Sequence, residues 1–401
     1  MPEISVRGLE MPESPIRKLA PLAAAAKERS TKVYHLNIGQ PDLPTPQCGL
    51  DALKNIDRKI LEYSPSQGNL SYRKKLCDFY KKFNINVTPD DIIITSGGSE
   101  AVLFSFMSCL NPGDEIIIPE PAYANYMAFA ISAGAKIKTI ATSIEEGFAL
   151  PKVEQFEKLI NERTRAIMIC NPNNPTGYLY TRREMNQIRD LVKKYDLYLF
   201  SDEVYREYIY TGSPYISAMH LQGIENNTIL IDSVSKRYSE CGIRIGALIT
   251  KNEEIRKAVM KFCQARLSPP LIGQIVAEAS LDAPQSYYRD VYDEYVERRK
   301  CLIDGLNRIS GVYSPIPMGA FYTVAKLPVD DSDKFCRWCL EEFSYEGETV
   351  MMAPASGFYT TPGAGRNQVR IAYVLKREDL QRALFILQKA LEAYPGRVKE
   401  E

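Results

Sequence analysis

Short apolar runs alternate with helical stretches through the middle of this 401-residue chain, and the alternation restricts the possible folds more than any other feature. The runs are IIIT, EIIIP, KIKTI, RAIMIC, LYLFSD, TILIDS and IGALIT. Between them lie stretches such as SEAVLFSFMSCL and RREMNQIRDLVKKY, in which apolar residues recur at helical spacing. Continuous apolar strands separated by helices are typical of a parallel sheet covered on both faces. The sequence therefore predicts an α/β fold around a mostly parallel seven-stranded sheet between helices.

A different pattern begins near residue 286. The stretch SYYRDVYDEYVERRKCLIDGLNRI predicts a long polar helix that connects two domains. After it, the runs AFYTVAKL, ETVMMAP and NQVRIAYV alternate with helical stretches, and a last helix is predicted from Arg377 to Tyr394. This α+β pattern predicts a second, smaller domain. We expect a large domain over residues 46–288 and a small domain built from residues 1–45 and 289–401.

Charge and composition exclude several classes of function. The 50 basic and 50 acidic residues give a formal net charge of zero, which argues against a nucleic-acid binder with a broad basic surface. No run approaches the roughly 20 apolar residues that span a bilayer, and the N-terminus lacks the apolar core of a signal peptide. Nine scattered cysteines, an odd number, are typical of a reducing compartment. We therefore expect a cytoplasmic protein.

The sequence gives no support for metal or histidine chemistry. Cys336 and Cys339 have CxxC spacing, but neither a second pair nor a histidine accompanies them. Both lie in a predicted amphipathic helix, and we interpret them as buried thiols. His35 and His220 are the only histidines, and neither has an obvious catalytic neighbour. We predict no metal site and no histidine-based triad.

Polar residues follow several predicted strands, at the edge where parallel sheets bind ligands. Gly97, Gly98 and Ser99 form a strand-to-helix turn that would cradle a phosphate, although such a turn needs glycine for backbone reasons as well. Asn174 lies in the turn NPNNPTG, where it is either a hydrogen-bond donor to a ligand or an ordinary turn residue.

Two further strand ends carry ionisable residues. Asp202 ends LYLFSD and needs a partner if buried, which a structural interpretation would supply as a helix cap or an ion pair. Tyr205 follows it. The stretch DSVSKRYSECGIRIG then supplies Ser233, Ser235, Lys236 and Arg244. A single ligand with a phosphate, a ring nitrogen, a ring oxygen and an aldehyde fits the whole set, and that ligand is pyridoxal 5′-phosphate.

The chain resembles the fold-type I pyridoxal-phosphate aminotransferases of class I and II, the aspartate-aminotransferase-like family. The motifs occur in the family's order from Asn37 to Arg370. They are NIGQPD, YSPSQG, TSGGSEA, PAYANY, NPNNPTG, SDEVY, SVSKRY with GIRIG, GAFY and RIAY. The resemblance implies an enzyme that moves an amino group between an L-amino acid and a 2-oxo acid by a ping-pong mechanism, with the cofactor bound by the large domain.

The same resemblance implies roles for individual residues. Lys236 would form the covalent link to the cofactor aldehyde and then move a proton, Asp202 would bond the ring nitrogen, and Tyr205 and Asn174 would bond the ring oxygen. Further cofactor contacts are implied for Gly98, Ser99, Ser233 and Arg244 at the phosphate, Tyr123 stacked on the ring, and Tyr63 reaching the phosphate from a neighbouring subunit. Arg370 would grip the substrate α-carboxylate, and Gly39 would lie on the substrate side. The protein would then be a homodimer with shared sites.

The substrate side chain is left open. Aspartate or glutamate is the first expectation, and it requires a second cation, for which Arg266, or Arg17 and Lys18 from the N-terminal segment, are candidates. The alternatives are a transaminase for aromatic or other amino acids, or a carbon–sulfur β-lyase on the same scaffold. A remote alternative is a non-catalytic regulator that binds the cofactor. Regulators of that kind carry an added DNA-binding domain, for which we expect no room before NIGQPD.

Overall fold

The computed structural model describes residues 2–212 and 214–398. Its strands are β1 (Lys32–His35), β2 (Ile92–Thr95), β3 (Glu115–Glu120), β4 (Lys136–Ala141), β5 (Thr164–Cys170), β6 (Tyr198–Asp202), β7 (Thr228–Ser233), β8 (Gly246–Ile249), β9 (Tyr322–Lys326), β10 (Glu348–Met351), β11 (Ala353–Pro354) and β12 (Gln368–Ala372). Its helices are α1 (Val6–Glu10), α2 (Ala20–Glu28), α3 (Gln47–Lys54), α4 (Leu70–Lys81), α5 (Gly97–Cys109), α6 (Asn125–Ala133), α7 (Val153–Leu159), α8 (Arg182–Tyr195), α9 (Val234–Arg237), α10 (Glu253–Arg266), α11 (Leu271–Ser280), α12 (Gln285–Leu306), α13 (Ser332–Glu341) and α14 (Arg377–Ala393).

Seven strands form the main sheet, in the order β2-β8-β7-β6-β5-β3-β4. All seven apolar runs of the sequence are strands of this sheet, and the predicted α/β fold is confirmed. Neighbouring strands are parallel except at β8, which is antiparallel to both β2 and β7. The carboxyl ends of β2, β5, β6 and β7 therefore lie at one edge of the sheet.

Helices cover both faces of this sheet because successive strand side chains point to opposite sides. On β6, Leu199 belongs to the core that contains the apolar face of α8, including Ile188. The next residue, Phe200, points to the other face and packs against Phe106 of α5, with ring centroids 5.3 Å apart. The apolar runs read as continuous because both of their faces are buried.

The remaining strands form two small sheets. β11, β12 and β9 are antiparallel, and β1 pairs in parallel with β10, so the N-terminal segment joins a strand from residues 348–351. The predicted connecting helix is α12, and the predicted last helix is α14. The two helices pack against each other. The domain boundaries at residues 45/46 and 288/289 stay a prediction.

The CxxC pair lies on α13, the helix that the sequence predicts there. Cys336 and Cys339 are both buried in the core, and burial raises the pKa of each thiol. Within residues 2–212 and 214–398, no three histidine, cysteine or acidic side chains are grouped as metal ligands. No helix in these ranges is long and apolar enough to cross a membrane.

Candidate active site

Lys236 lies in α9, a helix of four residues that directly follows β7. The Ser233 side chain caps this helix by accepting a hydrogen bond from the Ser235 backbone N–H at 3.2 Å. The half-buried Lys236 amine donates to the Gly39 carbonyl at 2.9 Å. Gly39 has to be glycine here, because a Cβ atom would lie 1.7 Å from the Tyr322 hydroxyl. The structure thus brings the predicted substrate-side glycine to the predicted catalytic lysine.

Asp202 ends the neighbouring strand β6 and is buried. Its carboxylate accepts hydrogen bonds from the Tyr126 hydroxyl at 2.7 Å and from the Val204 backbone N–H at 3.3 Å. None of the ion pairs within the described ranges includes it. Burial raises the pKa of Asp202 to about 6. A buried carboxylate without a cationic partner suits a protonated ring nitrogen, since a nearby positive charge would offset the cost of burying the negative one.

Asn174, Tyr205 and Tyr322 form a hydrogen-bonded group beside this carboxylate. The Asn174 amide donates to the Tyr205 hydroxyl at 3.3 Å, and the hydroxyls of Tyr205 and Tyr322 are 3.1 Å apart. All three side chains are buried, and burial raises the pKa of Tyr205, which keeps its hydroxyl protonated. The group can therefore donate hydrogen bonds to an oxygen of a bound ring.

Arg370 is a buried cation without an acidic partner in the described part of the chain. It is 1% exposed, and its guanidinium donates to the Asn174 side-chain oxygen at 3.1 Å and to the Asn37 carbonyl. It packs over the rings of Tyr322 and Phe358, and its Nε has no hydrogen-bond partner. Burial lowers the pKa of Arg370. An unneutralised buried guanidinium with a free N–H is a suitable receptor for a carboxylate.

Gly97 and Arg244 form a cradle for an anion after β2. Gly97 has a φ of 77°, and a Cβ atom on it would lie 2.3 Å from Arg244 Nη2. The Arg244 guanidinium donates to the Cys241 carbonyl at 3.0 Å and has no carboxylate partner among the described residues. The N-terminus of α5, where backbone N–H groups favour negative charge, begins at Gly97.

The other predicted phosphate ligands lie at the ends of β2 and β7. Gly98 and Ser99 are in the first turn of α5, and both are half-buried. Ser233 and Ser235 are buried, and the Ser233 hydroxyl lies 3.0 Å from the Ser235 hydroxyl and 3.1 Å from the Ile245 carbonyl. Hydroxyls and a guanidinium are donors of the kind that bind phosphate, and the role of these residues as phosphate ligands stays a prediction.

Two tyrosines predicted to bind the cofactor differ in their surroundings. Tyr123 packs edge-on against Tyr126, with ring centroids 5.3 Å apart, and its hydroxyl accepts a hydrogen bond from the Asn125 amide at 2.8 Å. Burial raises the pKa of Tyr123 to about 12. Tyr63 is 76% exposed, and the single chain does not bring it to the site.

Arg266 is not a free cation. Its Nη1 lies 3.1 Å from a Glu100 carboxylate oxygen, and its Nη2 donates to the Ser66 carbonyl at 3.2 Å. Its Nε has no partner. Lys18 is likewise held, in an ion pair with Asp333. Of the three predicted cations for a substrate side chain, these two are already neutralised.

Tyr126, Tyr322 and Asn37 join the site without having been predicted. Each lies inside a recognised motif, PAYANY, GAFY and NIGQPD respectively, but nothing in a motif indicates which of its residues face the ligand. A buried tyrosine is more often a packing residue. The hydrogen bond from Tyr126 to Asp202 links positions 76 residues apart and becomes visible only in the fold.

Replacing Asp202 by asparagine is expected to stabilise the cofactor-free protein at neutral pH while it slows turnover. Folding raises the pKa of this carboxyl from 3.8 to about 6. The folded protein therefore becomes less stable as the pH rises from about 4 to about 6, because the buried carboxyl has to ionise. At about 1.4 kcal/mol per pKa unit, the ionised form costs up to roughly 3 kcal/mol, a cost that asparagine removes. Urea unfolding at about pH 4 and about pH 8 measures the effect. Equal stabilisation at both pH values would contradict it.

Comparison with known proteins agrees with this geometry. The family model for aminotransferases of class I and II matches residues 31–387. The aspartate aminotransferase of Pyrococcus horikoshii is 31% identical over 97% of this chain and 97% of that protein. The aromatic-amino-acid aminotransferase 2 of Thermococcus litoralis is also 31% identical, over 94% of this chain and 96% of its own. The solved aspartate aminotransferase from Thermus thermophilus with maleate has a TM-score of 0.88 at 28% identity, and covers 97% of this chain and 100% of that chain.

Proposed function

The chain belongs to the aminotransferases of class I and II, and we propose that it transfers the amino group of aspartate or glutamate to a 2-oxo acid with pyridoxal 5′-phosphate as cofactor. The observation that carries the proposal is a continuous chain of contacts that links the Lys236 amine to the buried Arg370 guanidinium. The chain runs through the Gly39 carbonyl, the Tyr322 and Tyr205 hydroxyls and the Asn174 side chain. The buried Asp202 carboxylate acts electrostatically on the same Tyr205. The relatives named as aspartate aminotransferases support the acidic substrate.

The residues present fit the cofactor. Arg244 and the start of α5 supply an anion cradle for its phosphate, and a Cβ atom at Gly97 would fill that cradle. Asp202 would hold the ring nitrogen and keep it protonated, and Tyr205 and Asn174 would donate hydrogen bonds to the ring oxygen. When bound, pyridoxal phosphate stabilises negative charge at the substrate α-carbon.

Lys236 and Arg370 would perform the protein's part of the reaction. Arg370 would bind the α-carboxylate through two parallel hydrogen bonds and so fix the position of the α-carbon. The free amine of Lys236 would accept the proton of the substrate α-carbon and would release it toward the aldehyde carbon of the cofactor, which lies on the other side of the amino nitrogen. A positioned general base of this kind contributes roughly 10²-fold to 10⁴-fold to the rate.

Arg17 is the cation that we propose for the second carboxylate of an acidic substrate. It is exposed on the N-terminal segment and makes no ion pair within the described ranges. Its charge reaches Tyr123, where it opposes the rise in pKa that burial causes. Arg266 and Lys18 are already paired with Glu100 and Asp333, so Arg17 is the better candidate of the three.

Replacing Arg17 by methionine is therefore expected to raise the KM for aspartate by up to about fivefold and to leave the KM for phenylalanine unchanged. The loss of one exposed charged contact, at most about 1 kcal/mol, sets this magnitude. The matched control is Lys18→Met, which removes a cation from the next position. If the two variants change the aspartate KM equally, or if Arg17→Met affects phenylalanine as much, the assignment is wrong.

A second candidate function, transfer from aromatic amino acids, is favoured by a cavity of about 370 Å³ beside Tyr123. Its lining is mainly apolar and includes Pro12, Pro15, Met127 and Phe358. Glu13 is the only charged residue of the described chain in that lining, so a second substrate carboxylate would find no cation there. The relative named as an aromatic-amino-acid aminotransferase is consistent with this candidate.

A substrate panel separates the candidates. The purified enzyme with added cofactor is assayed with aspartate, glutamate, phenylalanine and tyrosine, each with 2-oxoglutarate or oxaloacetate as acceptor. A kcat/KM for aspartate or glutamate above that for the aromatic amino acids supports the proposal, and the reverse order supports the second candidate. Pyruvate and ammonia released from a cysteine conjugate, without need of a 2-oxo acid, would instead indicate a β-lyase.

We also propose a cytoplasmic homodimer whose sites are shared, with Tyr63 acting in the partner's site. Exposed apolar side chains near Tyr63, among them Ile60, Leu61 and Leu267, support an interface on this surface. The nine free cysteines support a reducing compartment.

Mixing two impaired variants tests the shared site. In a heterodimer of Lys236→Ala and Tyr63→Ala subunits, one of the two sites would have both native residues, so an equal mixture should recover up to about a quarter of the native activity. Heterodimer formation is verified by mass spectrometry with differently tagged subunits. Heterodimers that form but recover no activity would contradict the shared site.

A further inference from the structure

Residues 202–207 and 232–237 carry two sets of side chains. One set belongs to the proposed active site and consists of Asp202, Tyr205, Ser233, Ser235 and Lys236. The other set is charged, lies directly behind the first and consists of Glu203, Arg206, Glu207, Asp232 and Arg237. Glu203 and Arg237 lie within the motifs SDEVY and SVSKRY, but no role was predicted for any residue of this second set. The proposed reaction does not use it either, although it alternates with the active-site residues along the same two segments.

Arg237, the residue next to Lys236, has the most extensive contacts in this set. Its Nη2 lies 2.8 and 2.6 Å from the two carboxylate oxygens of Asp232, and its Nε donates to Glu207 at 2.8 Å. Its guanidinium stacks 4.3 Å from the centre of the Phe79 ring. Arg237 and Asp232 are both 2% exposed. The Arg237 guanidinium therefore joins Glu207, which follows β6, to Asp232 at the start of the segment that contains Lys236.

Tyr208 holds the lysine from another direction. Its hydroxyl donates to the Lys236 backbone carbonyl at 2.6 Å, and its ring packs edge-on against Tyr295 and Phe321. These contacts matter because α9 is a single turn of four residues. A turn of that length is not stable by itself, since nucleation of a helix costs more than one hydrogen bond returns. The orientation of Lys236 therefore depends on tertiary contacts.

We propose that Asp232, Glu207, Arg237 and Tyr208 form a lysine clamp, a set of positioning residues that holds the Lys236 amine at the Gly39 carbonyl. The inference rests on the proposed function in one respect, namely that Lys236 is the catalytic lysine. The clamp touches no substrate and acts only through the backbone and orientation of α9.

A role in positioning Lys236 explains why residue 237 is an arginine. A buried ion pair is no better for stability than well-packed apolar side chains of similar volume. A planar guanidinium, however, can bind both oxygens of Asp232 and one of Glu207 in fixed directions, which an ammonium group cannot do. We therefore expect Arg237→Lys to keep the charge and the fold but to lose the alignment of Lys236.

The test compares clamp variants with matched variants of equal burial elsewhere. The clamp variants are Arg237→Lys, Arg237→Gln and Tyr208→Phe. The controls are Arg298→Lys and Arg298→Gln, at a buried arginine paired with Asp42 and Glu294, and Tyr373→Phe, at a buried tyrosine that donates to the Ala320 carbonyl. For each, kcat and KM are measured with one amino acid and acceptor. The rate of Lys236 acetylation by acetic anhydride in the cofactor-free protein is measured by mass spectrometry.

The clamp variants should lose roughly 10-fold to 100-fold in kcat with little change in KM, the size of loss expected from a misplacement of about 1 Å. Lys236 should be acetylated severalfold faster, because its amine is no longer held at the Gly39 carbonyl. The control variants should change neither quantity. If Arg237→Gln fails to fold, Arg237→Lys and Tyr208→Phe decide.

Clamp variants that keep the native kcat and the native acetylation rate would overturn the inference. The acetylation rate is read without cofactor or substrate, so it reports on the clamp even if the proposed reaction is wrong. An acetylation rate that rises in every variant that lowers the melting temperature, controls included, would also overturn it by reducing the clamp to a general stabilising contact.

Discussion

Replacing Lys236 by alanine is expected to lower kcat by at least about 10³-fold to 10⁴-fold. The substitution removes both proposed functions of the amine, the covalent hold on the cofactor and the transfer of the α-proton, and a general base alone contributes 10²-fold to 10⁴-fold. The side chain is half-buried, and the described hydrogen bonds of its amine are to the Gly39 carbonyl and the Cys241 thiol, so the fold should tolerate the change. Single-turnover rates at saturating cofactor measure the effect without contributions from weakened cofactor binding.

Two further variants control this result. Lys236→Arg keeps a positive charge at the site but lacks an amine that forms an imine or accepts a proton at neutral pH, and it should be as inactive as alanine. Lys251→Ala removes an exposed lysine that follows β8 and should behave like the native enzyme. A Lys236→Ala enzyme that retains more than about 1% of the native kcat would mean that another group carries the proton.

Replacing Arg370 by lysine is expected to lower kcat/KM for amino acids by roughly 10²-fold to 10³-fold, mostly through KM. The charge is retained, but the planar pair of N–H donors is lost, and each charge-assisted hydrogen bond contributes about 1.5–3 kcal/mol. At 1.4 kcal/mol per factor of ten, one to two such bonds correspond to roughly 10-fold to 10⁴-fold, and the expected loss lies in the middle of that span. Lysine should replace arginine poorly at this position, because the guanidinium is buried between two aromatic rings without an acidic neighbour in the described chain.

The control is a comparison of substrates with and without a carboxylate, since only the former should lose kcat/KM in Arg370→Lys. A primary amine without a carboxylate cannot use Arg370, so its slow reaction should be nearly the same in the native and Arg370→Lys enzymes. Arg298→Lys, at another buried arginine, should leave the amino-acid KM unchanged. If Arg370→Lys slows the amine and the amino acid equally, the arginine is structural and does not bind the substrate carboxylate.

The sheet was predictable from the sequence because its strands are buried on both faces and therefore read as continuous apolar runs. β1 escaped prediction because it is short and partly polar, and its place depends on pairing with the distant strand β10. β11 lies at the end of the run ETVMMAP, but the sequence did not indicate that this run divides into β10 and β11, which belong to different sheets. The direction of β8 could not be predicted from the sequence either. IGALIT has the composition of a parallel strand, and only the path of the chain makes it antiparallel.

Some residues of the candidate site could likewise be predicted from the sequence, and others could not. Lys236, Asp202 and Arg244 were predictable because each lies in a recognised motif at the end of a predicted strand: Asp202 ends one, Lys236 follows one and Arg244 precedes one. The state of Arg266 was not, since its neutralising partner Glu100 lies 166 residues away in the chain. The clamp residues were also hidden, because the charges of Asp232 and Arg237 look like ordinary surface residues until their burial is known.

The central claim is that Lys236, Asp202 and Arg370 together form a cofactor-dependent amino-transfer site. Its most direct test is an absorbance spectrum of the purified protein with pyridoxal phosphate, titrated with single amino acids. We expect a visible band that borohydride fixes on Lys236, that aspartate or glutamate bleaches, and that 2-oxoglutarate restores. A protein that shows no such band after cofactor is supplied, or that attaches the cofactor to a different lysine, would contradict the assignment of the site.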